Sequence, residues 1–327
     1  MAINPNDDHY RILSLDGGGS WALIEAAALG DIYGLETPGR EILKHFHLAI
    51  TNSGGSLILA GLILDLSPSA ILDLLFNEKV RKGIFVKKFL NAYILDIICE
   101  KLSFRKYKTA QKYTGLAAAF NDPRIDLPLA DIKTQLGVET DIVITAFDYD
   151  RERAKFFRSR SDSKTGPSAK EVTLRQAIHA SSTAPVKFFD DPADVKDGEL
   201  RRFWDGGVGG FNNPVMAGVI ETLSNYPERR DDIRVLSLGT GNNFLPLAQP
   251  GTPKNTLFKP IRNPGFFEDV TLAAQAVVSD PPDAASFNAH VVLDGRLPPP
   301  PPEPADHPSR YVHNLVRMNP LVQPRTE

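Results

Sequence analysis

Short apolar runs that alternate with helix-like stretches limit the fold of this 327-residue chain more than any other feature. Each run has the length of a β-strand, and several end at glycines or small polar residues. The predicted strands are residues 10–15, 46–50, 141–147, 154–158, 201–204 and 233–238. Such alternation is typical of a largely parallel sheet covered by helices on both faces, because parallel neighbours need a long crossover connection. The chain is therefore predicted to be an α/β protein.

A serine lies between one of these strands and the helix-like run that follows it. The segment Thr51-Asn52-Ser53-Gly54-Gly55 comes after apolar residues 46–50 and before apolar residues 57–66. This is the setting of a nucleophile elbow, in which a sharp turn exposes the hydroxyl and a helix N-terminus faces developing negative charge. The usual motif is G-x-S-x-G. With Thr51 in place of the first glycine, the motif alone is a weak match.

Two further strand ends carry groups that ester hydrolysis requires. Asp16-Gly17-Gly18-Gly19 follows the first strand, and three successive glycines favour a loop with exposed N–H groups, as an oxyanion hole requires. Asp205-Gly206-Gly207 ends another strand with a carboxylate and a glycine turn. Asp205 is therefore a candidate base for Ser53, with no histidine between them.

These segments together resemble the patatin-like phospholipase family. Five landmarks of that family occur here in the family's order, over residues 11–241. They are Asp16-Gly17-Gly18-Gly19, Thr51-Asn52-Ser53-Gly54-Gly55, Ala180-Ser181-Ser182-Thr183-Ala184-Pro185, Asp205-Gly206-Gly207 and Ser237-Leu238-Gly239-Thr240-Gly241. The resemblance implies a patatin-like three-layer α/β/α fold with a mostly parallel central sheet and a helical insertion. We expect the third and fifth segments to be structural.

The resemblance also implies a lipid acyl hydrolase of the phospholipase A or lysophospholipase type, with no cofactor and no metal. Ser53 is then the nucleophile, Asp205 the base, and Gly17, Gly18 and Gly19 the oxyanion hole. His179 is not needed, because the family uses a dyad. A carboxylate with a pKa near ~4 is a weak base at neutral pH, so Asp205 must be desolvated and close to the serine. Supporting roles are expected for Asp16, Thr51, Gly55, Gly206 and Gly207.

Three residues depart from the family pattern. Trp21 and Ala22 stand where Arg or Lys and then Gly are usual, so a cation beside the glycine loop is missing. Thr51 adds a Cβ where strand and helix crowd together, and we expect a distorted elbow rather than a lost one. A catalytically inactive patatin-fold module that binds lipid or a partner therefore stays an alternative.

The glycine loop also matches a different class of site. Residues 17–22 fit the dinucleotide-binding pattern G-x-G-x-x-A between a strand and a helix. That fingerprint expects an acidic residue at the end of the second strand, about 20 positions on. The second strand here ends at Thr51 and Asn52 without a carboxylate, which makes the oxidoreductase interpretation the weaker one.

Charge and composition bear on the compartment and the partners. The net charge of −3 gives no bias towards nucleic acid polymers, and a single cysteine, Cys99, excludes an intramolecular disulfide framework. Residues 1–9 lack the apolar core of a signal peptide, and the longest apolar run is shorter than the ~20 residues of a membrane span. We expect a cytoplasmic protein associated peripherally with the inner face of the membrane.

The predicted hydrolase domain covers residues 8–245 and includes a helical cap at about residues 67–121. Residues 246–327 are predicted to be a C-terminal extension, with a polyproline linker at 298–304. Part of the cap is basic and interleaved with apolar residues, which suits either an anionic membrane surface or a core helix with a solvated face. The basic residues are Lys79, Arg81, Lys82, Lys87, Lys88, Lys101, Arg105, Lys106, Lys108 and Lys112.

The substrate implied by the resemblance is membrane phospholipid. Some bacterial patatin-like proteins are effectors of anti-phage defence that cyclic nucleotides switch on and that degrade the membrane. A cyclic-nucleotide activator is therefore an option here, although no motif identifies a nucleotide pocket. The acyl position, the head group and the oligomeric state stay open.

Overall fold

A computed structural model describes residues 9–84, 107–166, 169–185, 188–241, 265, 281–295 and 314–320. Cys99, the polyproline segment and residues 85–106 of the predicted cap lie outside these ranges. The described residues contain one eight-stranded sheet with helices packed on both faces. The prediction of an α/β protein with three layers is confirmed.

All six predicted strands are present, each within two residues of its predicted bounds, and two further strands were not predicted. The strands are β1 Tyr10–Leu15, β2 Leu48–Thr51, β3 Asp141–Asp148, β4 Arg153–Arg158, β5 Ala193–Asp197, β6 Glu199–Asp205, β7 Ile233–Leu238 and β8 Leu315–Met318. The spatial order is β5-β6-β3-β2-β1-β7-β8, with β4 also paired to β3. Pairs β1–β2, β1–β7, β2–β3 and β7–β8 are parallel, and β3–β4, β3–β6 and β5–β6 are antiparallel.

Helices cover the sheet, and local signals set several of their ends. The helix Leu174–Ser181 begins with a capping box between Thr173 and Gln176, and the helix Ile132–Leu136 ends at Gly137, which has a positive φ of 68°. The helices in the described residues are α1 Leu23–Tyr33, α2 Gly39–Leu43, α3 Ser53–Ile63, α4 Pro68–Phe76, α5 Glu78–Ile84, α6 Thr109–Phe120, α7 Ile132–Leu136, α8 Leu174–Ser181, α9 Val215–Asn225 and α10 Pro281–Asp294. Within the same ranges, none of the helices has both the length and the apolar character needed to cross a bilayer.

Successive residues of the central strands pack into two separate apolar cores. Leu13 and Leu15 of β1 join the core that includes α3 and α8, whereas Ile12 joins the core that includes α9. Gly218 allows α9 to lie close to the sheet, because an added Cβ there would come 2.8 Å from Ile50 Cγ2. Burial on both faces explains why consecutive residues of these strands are apolar, as in Ile12-Leu13 and residues 48–50, rather than every second one.

Strands β2 and β6 meet end to end along the same edge of β3. Strand β4 pairs with β3 from Val143 to Asp148 and so occupies the opposite edge. On the shared edge, Thr51 of β2 pairs with Ile144, and Asp205 of β6 pairs with Ala146. Because β6 runs antiparallel, only this displacement along β3 brings its carboxyl end to the carboxyl end of β2.

The segment after residue 245 contributes to the same sheet. Strand β8 extends the sheet beside β7, and α10 packs against α9. Asn213 Nδ2, just before α9, donates a hydrogen bond to Ser286 Oγ of α10 at 2.8 Å. The domain boundary at residue 245 and the helical cap at residues 67–121 stay predictions. The described parts of the cap contain α4, α5 and α6.

Candidate active site

Helix α3 begins at Ser53, directly after the end of β2. Ser53 has a φ of +45°, in the left-handed region that residues other than glycine seldom adopt. This conformation turns the chain sharply from strand to helix and leaves Ser53 8% exposed. The first turn of α3 directs backbone N–H groups to the side where the serine lies. The turn therefore has the geometry of a nucleophile elbow.

Small residues make room for this turn. An added Cβ on Gly54 would lie 2.5 Å from the carbonyl oxygen of Gly19, and one on Gly55 would lie 2.7 Å from that of Asp16. The same position on Gly55 would be 2.7 Å from Thr51 Oγ1. Thr51 is thus accommodated because Gly55 has no side chain, and the sharp turn is kept.

The carboxylate of Asp205 lies beside Ser53 and accepts two hydrogen bonds. The donors are Asn52 Nδ2 at 2.9 Å and the N–H of Gly207 at 2.8 Å. The Ser53 hydroxyl lies close enough to interact with the same carboxylate. Burial raises the pKa of Asp205 above its ordinary value, and these hydrogen bonds offset only part of that effect. The structure therefore brings the predicted nucleophile and base together in a desolvated setting.

Asn52 connects the two strand ends, and sequence reasoning missed it. Its Oδ1 accepts a hydrogen bond from Thr145 Oγ1 at 2.8 Å, which orients Nδ2 towards Asp205. Thr145 is the β3 residue between the positions paired with β2 and with β6. The available signal in the sequence was Asn52 itself, at the variable position of the serine motif between a buried strand and a buried helix. A polar side chain in such a place needs hydrogen-bond partners.

A second serine holds the elbow from the side of α8. The N–H of Ser53 donates a hydrogen bond to Ser181 Oγ at 2.8 Å, and Ser181 is fully buried. The segment that was expected to be structural, Ala180 to Pro185, therefore contacts the backbone of the predicted nucleophile.

Ser181→Ala is expected to lower kcat for a soluble ester by about tenfold, because the loss of the acceptor leaves the buried N–H of Ser53 unpaired, which costs ~1–3 kcal/mol. Ser182→Ala is the matched control, since Ser182 Oγ donates to the Ile178 carbonyl one turn back in the same helix. Steady-state kinetics with a soluble ester measures both variants. Equal rates for the two variants would show that Ser181 does not support the elbow.

The glycine loop lies against α3 and contributes fewer free donors than expected. The N–H of Gly17 donates to the carbonyl of Asn212 at 2.7 Å, so it is not free to bind an oxyanion. Within the described residues, no oxygen accepts a hydrogen bond from the N–H of Gly18 or Gly19. The geometry thus narrows the predicted oxyanion donors from three glycines to two.

The two residues after the loop that depart from the family pattern, Trp21 and Ala22, differ in burial. Trp21 is 55% exposed, whereas Ala22 is fully buried beneath the loop. Gly54 lies close to Ala22, because an added Cβ on Gly54 would be 3.0 Å from that of Ala22. Ala22 is therefore part of the packing between loop and helix, and Trp21 lies on the surface beside them.

Lys112 is fully buried, which corrects its place in the predicted basic surface. Its ammonium donates to the carbonyl of His179 at 3.1 Å and to Thr183 Oγ1 at 2.9 Å. Burial lowers the pKa of Lys112 well below its ordinary value, and the charge of Asp205 acts in the opposite direction. The imidazole of His179 packs on Tyr113, and within the described residues it makes no hydrogen bond to Ser53 or Asp205.

The fold and the site together define an α/β/α protein with a serine elbow and an adjoining buried aspartate. The sequence model of the patatin-like phospholipase family matches residues 13–219 of this chain. The chain belongs to the patatin-like phospholipases, a family of lipid hydrolases.

The individual proteins to which this chain is similar share little sequence identity with it. Patatin-like protein 2 of Arabidopsis thaliana is 28% identical over 253 residues, which cover 71% of this chain and 60% of that protein. The chain thus spans less than two thirds of that relative. VipD from Legionella pneumophila aligns with a TM-score of 0.36 and 12% identity, over 88% of this chain and 67% of VipD. ExoU of Pseudomonas aeruginosa, solved with SpcU, aligns with a TM-score of 0.32 and 14% identity, over 55% of this chain and 38% of that one.

Proposed function

We propose that this protein is a serine carboxylic-ester hydrolase that cleaves membrane phospholipids, as a phospholipase A or lysophospholipase. One observation carries the proposal: Ser53, in a strained turn at the start of α3, lies beside the buried carboxylate of Asp205. Membership of the patatin-like phospholipases supports the substrate class.

The reaction proceeds through an acyl-enzyme. Ser53 Oγ attacks the ester carbonyl carbon while its proton passes to Asp205. The N–H groups of Gly18 and Gly19 stabilise the oxyanion, and the N-terminus of α3 adds to the positive potential there. The intermediate collapses, and the alcohol of the lysophospholipid leaves with the proton from Asp205. Water then attacks the acyl-enzyme and gives one proton to Asp205. The second intermediate collapses as Asp205 passes this proton to Ser53 Oγ, which releases the fatty acid and restores the free enzyme.

The environment of Asp205 suits this role. An aspartate with an ordinary pKa of ~3.9 is a poor base at neutral pH, and burial moves the pKa of Asp205 in the favourable direction. Asn52 and Gly207 hold one oxygen of the carboxylate, so the base is oriented as well as desolvated. Esters need less help with the leaving group than amides do, which favours lipid esters as substrates.

Surface chemistry supports a peripheral contact with the cytoplasmic face of a membrane. Lys79, Arg81 and Lys82 of α5 are exposed, and cations there would meet anionic head groups. Trp21 is exposed beside the glycine loop, and tryptophan favours the membrane interface because its ring is apolar and its N–H is polar. In this proposal the protein is cytoplasmic and meets its substrate at the inner leaflet.

Fatty-acid release and serine labelling test the proposal on the intact protein. The protein is incubated with vesicles of zwitterionic and anionic glycerophospholipids, with and without a panel of cyclic dinucleotides. Parallel samples receive a fluorophosphonate, and mass spectrometry maps the label. We expect the label on Ser53 and free fatty acid in the supernatant. Release only with a cyclic nucleotide would identify a switched enzyme, as expected for an effector of anti-phage defence. Neither label nor release under any condition would favour the inactive lipid- or partner-binding module.

A further inference from the structure

The strand farthest along the described chain reaches the residue that precedes the glycine loop. Arg317 of β8 lies opposite Ser237 of β7 in the parallel register. Its Nη1 donates to Asp16 Oδ1 and to Ser237 Oγ, both at 2.9 Å, and its Nη2 donates to Asp16 Oδ2 at 2.5 Å. The arginine therefore holds the Asp16 carboxylate with two parallel hydrogen bonds, the strongest arrangement for this pair of groups.

Asp16 lies in a crowded acidic environment. Its backbone N–H donates to Glu25 Oε1 of α1 at 2.6 Å, and both side chains are buried. Burial raises the pKa of Asp16 to about 6, Asp283 of α10 acts in the same direction, and Arg317 lowers it. Burial and the charge of Asp16 raise the pKa of Glu25 well above its ordinary value. Arg317 thus supplies the cation that keeps a negative Asp16 tolerable in this core.

A second set of contacts joins the end of β8 to the turn after β7, and this turn contacts the glycine loop. The N–H of Gly239 donates to the Met318 carbonyl at 2.8 Å, and the N–H of Gly241 donates to Asn319 Oδ1 at 2.9 Å. Thr240, between these glycines, donates from Oγ1 to the carbonyl of Gly17 at 2.9 Å. Residues 317–319 therefore hold the strand before the loop and the turn beside it.

We propose that β8 completes the oxyanion site from the far end of the chain, and that Arg317 is its positioning residue. Arg317 acts on the glycine loop through Asp16 and makes no hydrogen bond to Ser53 or Asp205 in the described residues. This inference rests on the proposed function, because the loop matters only where an oxyanion forms. The cation expected from sequence next to the loop, at the position of Trp21, is replaced by one that arrives through tertiary structure.

Replacement of Arg317 with methionine tests the proposal on the full chain. We expect kcat for a soluble ester to fall by about 10²-fold, the effect of losing one oxyanion donor, with KM within about threefold of wild type. Arg317→Lys keeps the charge without the paired geometry and is expected to recover part of the loss. Val316→Thr, at an exposed position of the same strand, is the control that should match wild type.

The pH dependence separates positioning from a general loss of structure. The ionised Asp16 is the partner of Arg317, and its pKa of about 6 rises further when the arginine is removed. In the wild type, activity that depends on the ion pair is lost as the pH falls through this pKa. Arg317→Met has no ion pair at any pH, so this part of the acid limb of kcat should be absent from it. In Arg317→Lys the pair is weaker, the pKa of Asp16 is higher, and the acid limb should move to higher pH. In an Asp16→Asn background, Arg317→Met should add less than about a threefold loss, because sites that act through one contact are not additive.

The outcomes distinguish failure of the proposed function from failure of the positioning role of Arg317. A wild type that neither labels nor releases fatty acid rejects the proposed function itself. An active wild type with an equally active Arg317→Met variant rejects only the positioning role, as does a change confined to KM or an undiminished effect in the Asp16→Asn background. If Arg317→Met fails to fold, as judged by thermal melting, Arg317→Lys serves as the test: a fall in kcat with a shifted acid limb supports the proposal, and wild-type kinetics overturn it.

Discussion

Asp205→Asn is expected to lower kcat/KM for phospholipid hydrolysis by about 10³-fold, and Ser53→Ala is expected to abolish it. General-base catalysis contributes about 10²–10⁴-fold, and the asparagine keeps the shape of the side chain without its basicity. Ser53→Ala removes the attacking oxygen, so the acyl-enzyme cannot form. Fatty-acid release from vesicles and the rate of fluorophosphonate labelling measure the two losses separately.

The pH profile of the wild type provides an internal check on Asp205. The base must be ionised, so kcat/KM should fall as the pH drops through the pKa of Asp205. Burial raises that pKa, which places the acid limb above the ~3.9 of an unperturbed aspartate. Asp194→Asn, at an exposed position of β5, is the matched control and should leave the profile unchanged. An Asp205→Asn variant with wild-type kcat/KM would rule out this residue as the base.

Gly54→Ala is expected to reduce kcat by about 10²–10³-fold and to destabilise the fold. The added Cβ would lie 2.5 Å from the carbonyl oxygen and 2.7 Å from the nitrogen of Gly19, distances that real Cβ atoms do not adopt. Relief requires a shift of α3 or of the glycine loop, which moves the oxyanion donors away from Ser53. The loss expected is that of an oxyanion donor, measured as kcat for a soluble ester together with the melting temperature.

Gly83→Ala is the matched control for this substitution. Gly83 is also in a helix, α5, but an added Cβ there meets no atom of the described residues within 4 Å. Alanine in a helix interior is more favourable than glycine by about 0.5–1 kcal/mol, so this variant should melt slightly higher and keep full activity. A Gly54→Ala variant that behaves like Gly83→Ala would show that the loop does not need its close contact with α3.

The strands could be predicted where the chain is buried on both faces. Residues 233–238 and 141–148 contain consecutive apolar residues, at 235–236 and 142–144, because helices cover both sides of the central sheet. Strand β5 was missed because exposed Asp194 and Lys196 alternate with buried residues at the edge of the sheet. Strand β8 has four residues and follows a long segment of different composition, so its pairing with β7 leaves little local signal.

In the candidate site, too, some residues could be predicted from the sequence and others could not. Its chemical groups lie in short motifs whose residue types carry the signal, as with Ser53 and Asp205. The residues that hold these groups can be far away in sequence. Ser181, for example, accepts a hydrogen bond from the N–H of Ser53, which is 128 positions away. Lys112 was predicted to lie on a basic surface because a lysine is exposed in most proteins, yet it is buried beside Thr183.

By itself, the sequence determined the α/β class, the family and the identities of the predicted nucleophile and base, because strands, sharp turns and glycine loops depend on neighbouring residues. Only the tertiary structure decided that β6 is displaced along β3 so that Asp205 meets Ser53, and that the N–H of Gly17 is already occupied. It also decided that Arg317, 301 positions from Asp16, supplies a cation beside the loop. Hydrogen-bond partners of buried polar groups come from whichever strand or helix the packing brings near. Local sequence patterns do not show which distant residues these will be.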